Sequence, residues 1–178
     1  MTQGPVHFPV FNPMLSRAVG LLPMMPLTLA LSALARRISV RHPRILRRLA
    51  GSIDKRFAID PTDLPFVLLM DFPGGTPRIT VQRNADGADC RIAGTLSALL
   101  GLVHGSCDGD ALFFSRDLVI EGDTSATLAL RNAIDDAELD LSEEVASLTP
   151  PLAGLIGQFA AICERRTGLS LQRAKGGM

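Results

Sequence analysis

The sequence contains no tryptophan and no tyrosine, and its eight phenylalanines are its only large aromatic side chains. Proteins that bind single-stranded nucleic acids commonly stack bases on aromatic rings placed beside basic residues. The sequence lacks the rings that such a surface needs. We therefore expect no nucleic acid among its partners.

Cysteine and histidine are also scarce, with three residues of each. The cysteines are too few and too scattered for a disulfide framework or a metal knuckle, and two of them fall in apolar segments typical of buried thiols. The histidines do not have ligand spacing. We predict no metal and no other cofactor. The residues are Cys90, Cys107, Cys163, His7, His42 and His104.

Acidic and basic residues are equally numerous, but they are unevenly distributed. Eight basic residues and one acidic residue lie between Arg36 and Arg56, whereas eleven acidic residues and two arginines lie between Asp108 and Glu144. The zero net charge therefore hides a dipolar protein. With 178 residues, 47% of them hydrophobic, we expect one main domain at 43–168, an N-terminal arm at 1–42 and a disordered tail at 169–178.

The arm contains eighteen uncharged residues from Ala18 to Ala35, close to the shortest length that spans a membrane. Two prolines, Pro23 and Pro26, interrupt this stretch, and its second half is amphipathic. The pattern favours a helix that lies at an interface or docks on the core over a membrane span or a signal peptide. Its apolar face contains Leu27, Ala30, Leu31, Leu34 and Ile38, and the other face contains Thr28, Ser32, Arg36 and Ser39.

A second short helix is predicted from Pro43, whose fixed φ suits a first helical position, to about Ala50. Ile45, Leu46 and Leu49 form its apolar side. Its basic side is either a solvated face or a surface attracted to anionic lipid headgroups, where each cation contributes roughly 1 kcal/mol. The residues predicted to face a membrane are Leu27, Leu31, Leu34, Arg44, Arg47 and Arg48.

The following segments alternate between strands and helices. The continuous apolar run Phe66–Phe72 predicts a strand buried on both faces, 78–83 predicts its antiparallel partner and 89–93 a third strand. Thr95 is expected to cap the next helix. Further on, Leu118–Glu121 predicts a strand, and Asp123 is expected to cap a helix. A last helix is predicted from Pro150.

Two of these stretches, CRIAGTLSALLGLV at 90–103 and LFFSRDLVIEGDT at 112–124, resemble the sterol carrier protein type-2 domain. The resemblance covers roughly 44–144. It implies an α+β fold in which helices cover a mostly antiparallel sheet of about five strands around an apolar tunnel, here with extra N-terminal amphipathic helices. The sequence from Leu112 to Leu139 is similar to one bacterial branch of that family, the UbiT-type accessory factors of ubiquinone biosynthesis.

The resemblance implies a non-catalytic protein that holds isoprenoid quinone precursors or phospholipids. It further implies peripheral association with an anionic membrane in the cytoplasm, and partner iron–sulfur proteins that hydroxylate the quinone ring without oxygen. The residues predicted to line the lipid tunnel are Leu99, Phe113, Phe114, Leu118, Ile120 and Leu128.

Two other functions fit parts of the sequence. A membrane-associated scaffold without obligatory cargo would recruit partner proteins through the acidic stretch from Asp135 to Glu144. An enzyme ranks last, because helix capping accounts for Asp123 and because Ser115-Arg116-Asp117 has no histidine base nearby in the sequence.

Overall fold

A computed structural model of the chain describes residues 24–104 and 118–137 and the single positions 144, 150 and 154. The predicted aromatic loop and nearly all of the predicted C-terminal helix lie outside these residues. The helices are α1 (Met24–Arg41), α2 (Pro43–Arg48), α3 (Leu96–His104) and α4 (Thr124–Ala137). The strands are β1 (Phe57–Pro61), β2 (Val67–Asp71), β3 (Arg78–Gln82), β4 (Cys90–Gly94) and β5 (Leu118–Gly122).

The five strands form one sheet in the order β3-β2-β1-β4-β5. Three neighbouring pairs are antiparallel, and β1 and β4 are parallel, with Ile59 opposite Ile92. The predicted strands at 66–72, 78–83, 89–93 and 118–121 are all present. The prediction of a mostly antiparallel sheet covered by helices is confirmed.

The sequence pattern does not predict the central strand β1. Its sequence, FAIDP, follows Lys55-Arg56 and ends in Asp60 and Pro61, which are poor strand formers. Long-range pairing on both sides overrides these local preferences, and Phe57 at its start is fully buried. The prediction that Phe66–Phe72 is buried on both faces is wrong, because Leu68 and Leu69 point to opposite faces and both remain half-buried.

The two faces of the sheet differ in character. The inner face carries apolar side chains, and the outer face carries cross-strand ion pairs between Asp71 and Arg78 and between Asp60 and Arg91. Since paired residues point to the same side of a sheet, the strand registers assign the residues to each face. The inner residues are Phe57, Ile59, Leu68, Met70, Ile79, Val81, Cys90, Ile92, Leu118 and Ile120.

Helix α1 lies along the edge strand β3 and closes that side of the sheet. Ser32 and Thr28 bond to backbone groups of Ile79 and Val81 on the side of β3 where no strand of the described residues lies. These polar residues therefore do not form a solvent-facing side of the helix. Pro26 is accommodated in the first turn, where the helix needs no hydrogen bond from its nitrogen. Among the described helices, none combines the length and hydropathy that crossing a bilayer requires.

Candidate functional site

The apolar side chains on the inner face form two clusters among the described residues. The first cluster lies between the sheet and helices α2, α3 and α4, and includes Phe57, Ile92 and Leu130. The second joins α1 to the sheet around Leu64, Phe66 and Val81. Each cluster is buried at its centre. Together they cover most of the inner face.

A seam of partly buried apolar residues runs between the two clusters. Ile59 and Met70 pack against the first cluster, whereas Leu68 packs against the second. Yet Leu68 lies opposite Ile59 in the β1–β2 pair and two residues before Met70 on the same face. These three neighbours are therefore divided between two clusters, and none of them is fully buried. We call Ile59, Leu68 and Met70 the inner seam.

The predicted tunnel residues occupy different environments. Leu99 and Leu118 are buried in the first cluster, and Ile120 lies half-buried on the inner face. Leu128 is 52% exposed on α4, because the buried side of that helix contains Ala126, Leu130 and Ala133 instead. Phe113 and Phe114 lie outside the described residues. Lipid contact by these six residues remains a prediction.

The turn between β5 and α4 depends on a close approach to Asp89. Gly122 has φ +81°, and a Cβ at this position would collide with the carbonyl group of Asp89. The next residue, Asp123, donates its backbone N–H to the same carbonyl oxygen at 3.0 Å. The carboxylate of Asp89 also accepts a 2.7 Å bond from the N–H of Arg56. The sequence Glu121-Gly122-Asp123 thus holds β5 and α4 against the segment that precedes β4.

Asp123 caps α4 as predicted, since its carboxylate accepts a 3.0 Å hydrogen bond from the N–H of Ala126. That bond, with a further contribution from Lys55 at 3.6 Å, lowers the pKa of the Asp123 carboxyl below its ordinary value. A lowered pKa keeps the group ionised, which suits a cap. The geometry of Asp123 is that of a structural residue.

The predicted basic side of α2 lies on the surface. Arg44, Arg47 and Arg48 are exposed and line an open pocket of about 510 Å³ together with Asp136 from α4. Arg48 forms an ion pair with Asp136. Among the described residues, no carboxylate pairs with Arg44 or Arg47. Two cations in this pocket are therefore open to an external anion.

The predicted acidic docking surface requires correction at Glu144. Its carboxylate is buried and lies 3.1 Å from the guanidinium of Arg41 and 3.3 Å from the imidazole of His42. Asp136 is also engaged, with Arg48. A scaffold that recruits partners through the whole stretch 135–144 would need both carboxylates free.

The predicted membrane-facing leucines of α1 also require correction. Leu34 is buried, and Leu27 and Leu31 pack in the second cluster. Leu27 and Leu31 face the sheet because α1 lies along β3, which turns this side of the helix toward Val81 and Phe66. These side chains are not available to a membrane in this arrangement.

Cys90 is a buried thiol, as its place in a strand predicts. Burial raises the pKa of its thiol, so the group stays protonated and unreactive near neutral pH. Within residues 24–104 and 118–137, no cluster of three or more histidine, cysteine or acidic residues could hold a metal ion.

Comparison with known proteins assigns the chain to a family. The model of the SCP-2 sterol transfer family matches residues 31–135, which is more than half of the chain. The chain belongs to the SCP-2 sterol transfer family. The matched range begins within α1 and ends near the end of α4, so it contains all five strands of the sheet.

One relative of this SCP-2 chain is the ubiquinone biosynthesis accessory factor UbiT of Escherichia coli strain K12. The two proteins are 41% identical over 63 residues, and the match covers 35% of this chain and 36% of UbiT. The chain thus matches UbiT over about a third of that protein's length.

Solved structures include similar SCP-2 folds. The UbiJ-SCP2 ubiquinone synthesis protein has a TM-score of 0.54 and 23% identity, with 66% of this chain and 96% of that chain covered. The apo form of sterol carrier protein 2 from Yarrowia lipolytica has a TM-score of 0.42 and 13% identity, with 61% of this chain and 89% of that chain covered. The likeness to the UbiJ-SCP2 structure shows the fold.

Proposed function

We propose that this chain is a non-catalytic lipid-binding accessory factor of ubiquinone biosynthesis. It would hold a prenylated quinone precursor or a phospholipid against the inner face of its sheet. The observation that carries the proposal is the inner seam, where three apolar neighbours stay partly exposed inside a domain of the SCP-2 sterol transfer family. The relative UbiT, a ubiquinone biosynthesis accessory factor, supports the choice of pathway.

The inner seam suits a hydrocarbon chain because its three side chains are apolar and none of them is fully buried by the two clusters. Each methylene-sized group that leaves water contributes about 0.8 kcal/mol. Ten such groups give roughly 8 kcal/mol before the cost of ordering the chain. That is enough to retain a lipid and still release it to a partner. The predicted tunnel residues Leu99, Leu118 and Ile120 lie on or beside this face, and Phe113, Phe114 and Leu128 would complete the wall in the proposal.

The arginines of α2 would bind the polar head of an anionic lipid. Arg44 and Arg47 line the open pocket without a carboxylate partner among the described residues, and an anion there could compete with Asp136 for Arg48. The same residues would draw the protein to an anionic membrane surface. We therefore include peripheral membrane association in the cytoplasm in the proposal.

The chemistry of the pathway would belong to other proteins. In our proposal the chain presents its cargo to iron–sulfur hydroxylases that modify the quinone ring without oxygen. Asp123 supports an accessory role, because its carboxylate caps a helix. A scaffold without obligatory cargo is the alternative, and the cargo experiment separates the two.

The experiment is to purify the full chain without detergent, extract it with organic solvent and identify the extracted lipids by mass spectrometry. We expect a prenylated phenol or quinone, or a phospholipid, in stoichiometric amount. A delipidated sample should then take up a prenylated quinone from solution. A protein that purifies without lipid and takes up none would be a scaffold and not a carrier.

A further inference from the structure

A second pocket, of about 460 Å³, lies at the end of the sheet where β1 ends, β2 begins and β3 ends. Asp60 and Val67 line it from the outer face of the sheet. Asn84 and Ala85, from the connection that follows β3, also line it. We call it the outer pocket. The sheet separates it from the inner seam.

The connection from β3 to β4 is held in place beside the outer pocket. β3 ends where β2 begins, whereas β4 starts at the other end of the sheet, opposite Phe57, so the connection runs the length of the sheet. The side-chain amide of Gln82 donates hydrogen bonds to the backbone carbonyl oxygens of Asn84 at 2.8 Å and Asp86 at 3.4 Å. Bonds within the chain therefore fix the part of the pocket wall that Asn84 forms.

The charges in the outer pocket favour an anionic ligand. The carboxylate of Asp60 accepts hydrogen bonds from Nε and Nη2 of Arg91 at 2.9 and 2.5 Å, so its charge is already paired. Arg83 also lines the pocket and is exposed, and no carboxylate among the described residues pairs with it. A carboxylate that enters the pocket would therefore meet an unpaired guanidinium, which binds carboxylates through charge-assisted hydrogen bonds.

The apolar part of the outer pocket is a recessed floor. Leu64, Phe66 and Val67 line it and are only 7%, 5% and 4% exposed. Protruding side chains insert into a membrane, whereas a recessed floor receives a side chain offered by a partner. Sites for small molecules usually bury most of their ligand, but this pocket is wide open to solvent. A peptide that presents an apolar side chain beside a carboxylate fits both features.

We infer that the outer pocket binds an acidic segment of a partner protein. A carboxylate of that segment pairs with Arg83, and a neighbouring apolar side chain packs on the floor. Because the outer pocket and the inner seam lie on opposite faces of the sheet, the partner binds without displacing a lipid from the seam. The inference goes beyond the carrier function proposed above and holds with or without a lipid cargo.

A second copy of this chain is a poor source of such an acidic segment. Several of its described carboxylates already pair with basic residues of the same chain, and they are those of Asp60, Asp71, Glu121, Asp123 and Asp136. Binding another copy would require some of these ion pairs to break. A protein of different sequence carries no such cost.

The test measures binding of the full chain to a fluorescein-labelled hexapeptide of alternating glutamate and leucine by fluorescence polarisation. A second hexapeptide has glutamine in place of each glutamate. Arg83→Gln removes the unpaired cation, and Arg36→Gln is its control, an exposed arginine of α1 without an ion pair among the described residues. Ala85→Phe fills the pocket, and Ala88→Phe adds the same ring further along the connection, at a position that is also half-buried.

We expect the glutamate peptide to bind at least about tenfold more tightly than the glutamine peptide at low salt. Arg83→Gln should weaken binding of the glutamate peptide about fivefold, and Ala85→Phe should weaken it at least about tenfold. Arg36→Gln and Ala88→Phe should change it less than about twofold. Circular dichroism checks that every variant is folded, and the exposed Arg83→Gln keeps the test valid if a phenylalanine variant does not fold.

Three results would overturn the inference. One is absence of peptide binding, or equal binding by wild type and Arg83→Gln. Another is displacement of the peptide by N-acetylglutamate at the same concentration, since the pocket would then be a site for a small carboxylate. The third is a wild-type dimer that Arg83→Gln converts to a monomer in light scattering, since the pocket would then hold a second copy.

Lipid extraction from the same samples separates this inference from the proposed function. Weaker peptide binding by Arg83→Gln with unchanged lipid content supports the outer pocket as a partner site. Absence of lipid from every sample contradicts only the carrier function.

Discussion

The hydroxyl of Ser32 forms two hydrogen bonds with the backbone of Ile79, donating to its carbonyl oxygen at 2.7 Å and accepting from its N–H at 3.1 Å. Ile79 lies in β3, at the edge of the sheet formed by the described strands. Edge strands with unpaired backbone groups invite association with other chains. A helix thus closes the sheet edge here through two side chains, Ser32 and Thr28.

Ser32→Ala should lower the free energy of unfolding by about 1–3 kcal/mol, because it leaves a partly buried N–H and carbonyl oxygen without partners. Ser39→Ala is the control, since the Ser39 hydroxyl bonds only to the nearby carbonyl oxygen of Arg36 at the surface. Urea denaturation measures both. Hydrogen exchange of the Ile79 amide should also accelerate in Ser32→Ala. Equal stabilities of the two variants would show that α1 does not protect the edge.

Gly122→Ala should be strongly destabilising. The residue combines a φ of +81° with a position where a Cβ would collide with the backbone of Asp89. Gly74→Ala separates the two effects, because Gly74 has φ +60° but open space around its Cβ position. We expect Gly122→Ala to cost at least about 2 kcal/mol more than Gly74→Ala in denaturant unfolding. Equal costs would mean that Asp89 can move away.

Asp123 should make stability depend on pH in the acidic range. Its folded-state pKa is lowered by the hydrogen bond from Ala126, so its contribution is fully present above the ordinary carboxyl pKa. The contribution is lost as the pH falls through the lowered folded pKa. Asp123→Asn keeps an oxygen that can cap the helix but cannot titrate. Denaturation at several pH values should show wild type more stable than the variant near neutral pH, with the difference narrowing in acid. A difference that stays constant would contradict the assignment.

Arg41→Gln should destabilise the protein by about 1–2 kcal/mol, because it removes a charged partner from the buried carboxylate of Glu144. The expected loss of stability is small because Arg41 is half exposed and His42 remains beside the carboxylate. Arg44→Gln, three residues later, removes an exposed charge without an ion pair among the described residues. We expect it to change the free energy of unfolding by less than about 0.5 kcal/mol. Thermal and urea unfolding measure both variants. Equal effects would show that the Glu144 pair is not stabilising.

The sequence predicted those elements whose local signals agree with their tertiary role. Strands β2 to β5 have apolar or alternating patterns, and Thr95 and Asp123 cap the helices that follow them, with the N–H of Ala98 bonded to Thr95 at 3.2 Å. The contact of Gly122 with Asp89, however, depends on a segment more than thirty residues away.

The remaining features depend on contacts that a linear pattern does not contain. Strand β1 is held by two neighbouring strands despite Asp60 and Pro61. The orientation of α1 is set by β3, so its leucines turn inward. Glu144 is buried by pairing with residues about a hundred positions earlier, which no acidic run could indicate.

The measurement that tests the carrier function most directly fills the inner seam with a large side chain. Leu68→Trp places an indole between Ile59 and Met70, whereas Leu69→Trp adds the same group to the opposite face of β2. Both positions are half-buried, so the cost of overpacking, about 1–3 kcal/mol, should be similar. Lipid extracted per mole of folded protein is quantified by mass spectrometry. We expect Leu68→Trp to lose most of its lipid and Leu69→Trp to retain it. Equal lipid content in the two variants would contradict a lipid held at the seam.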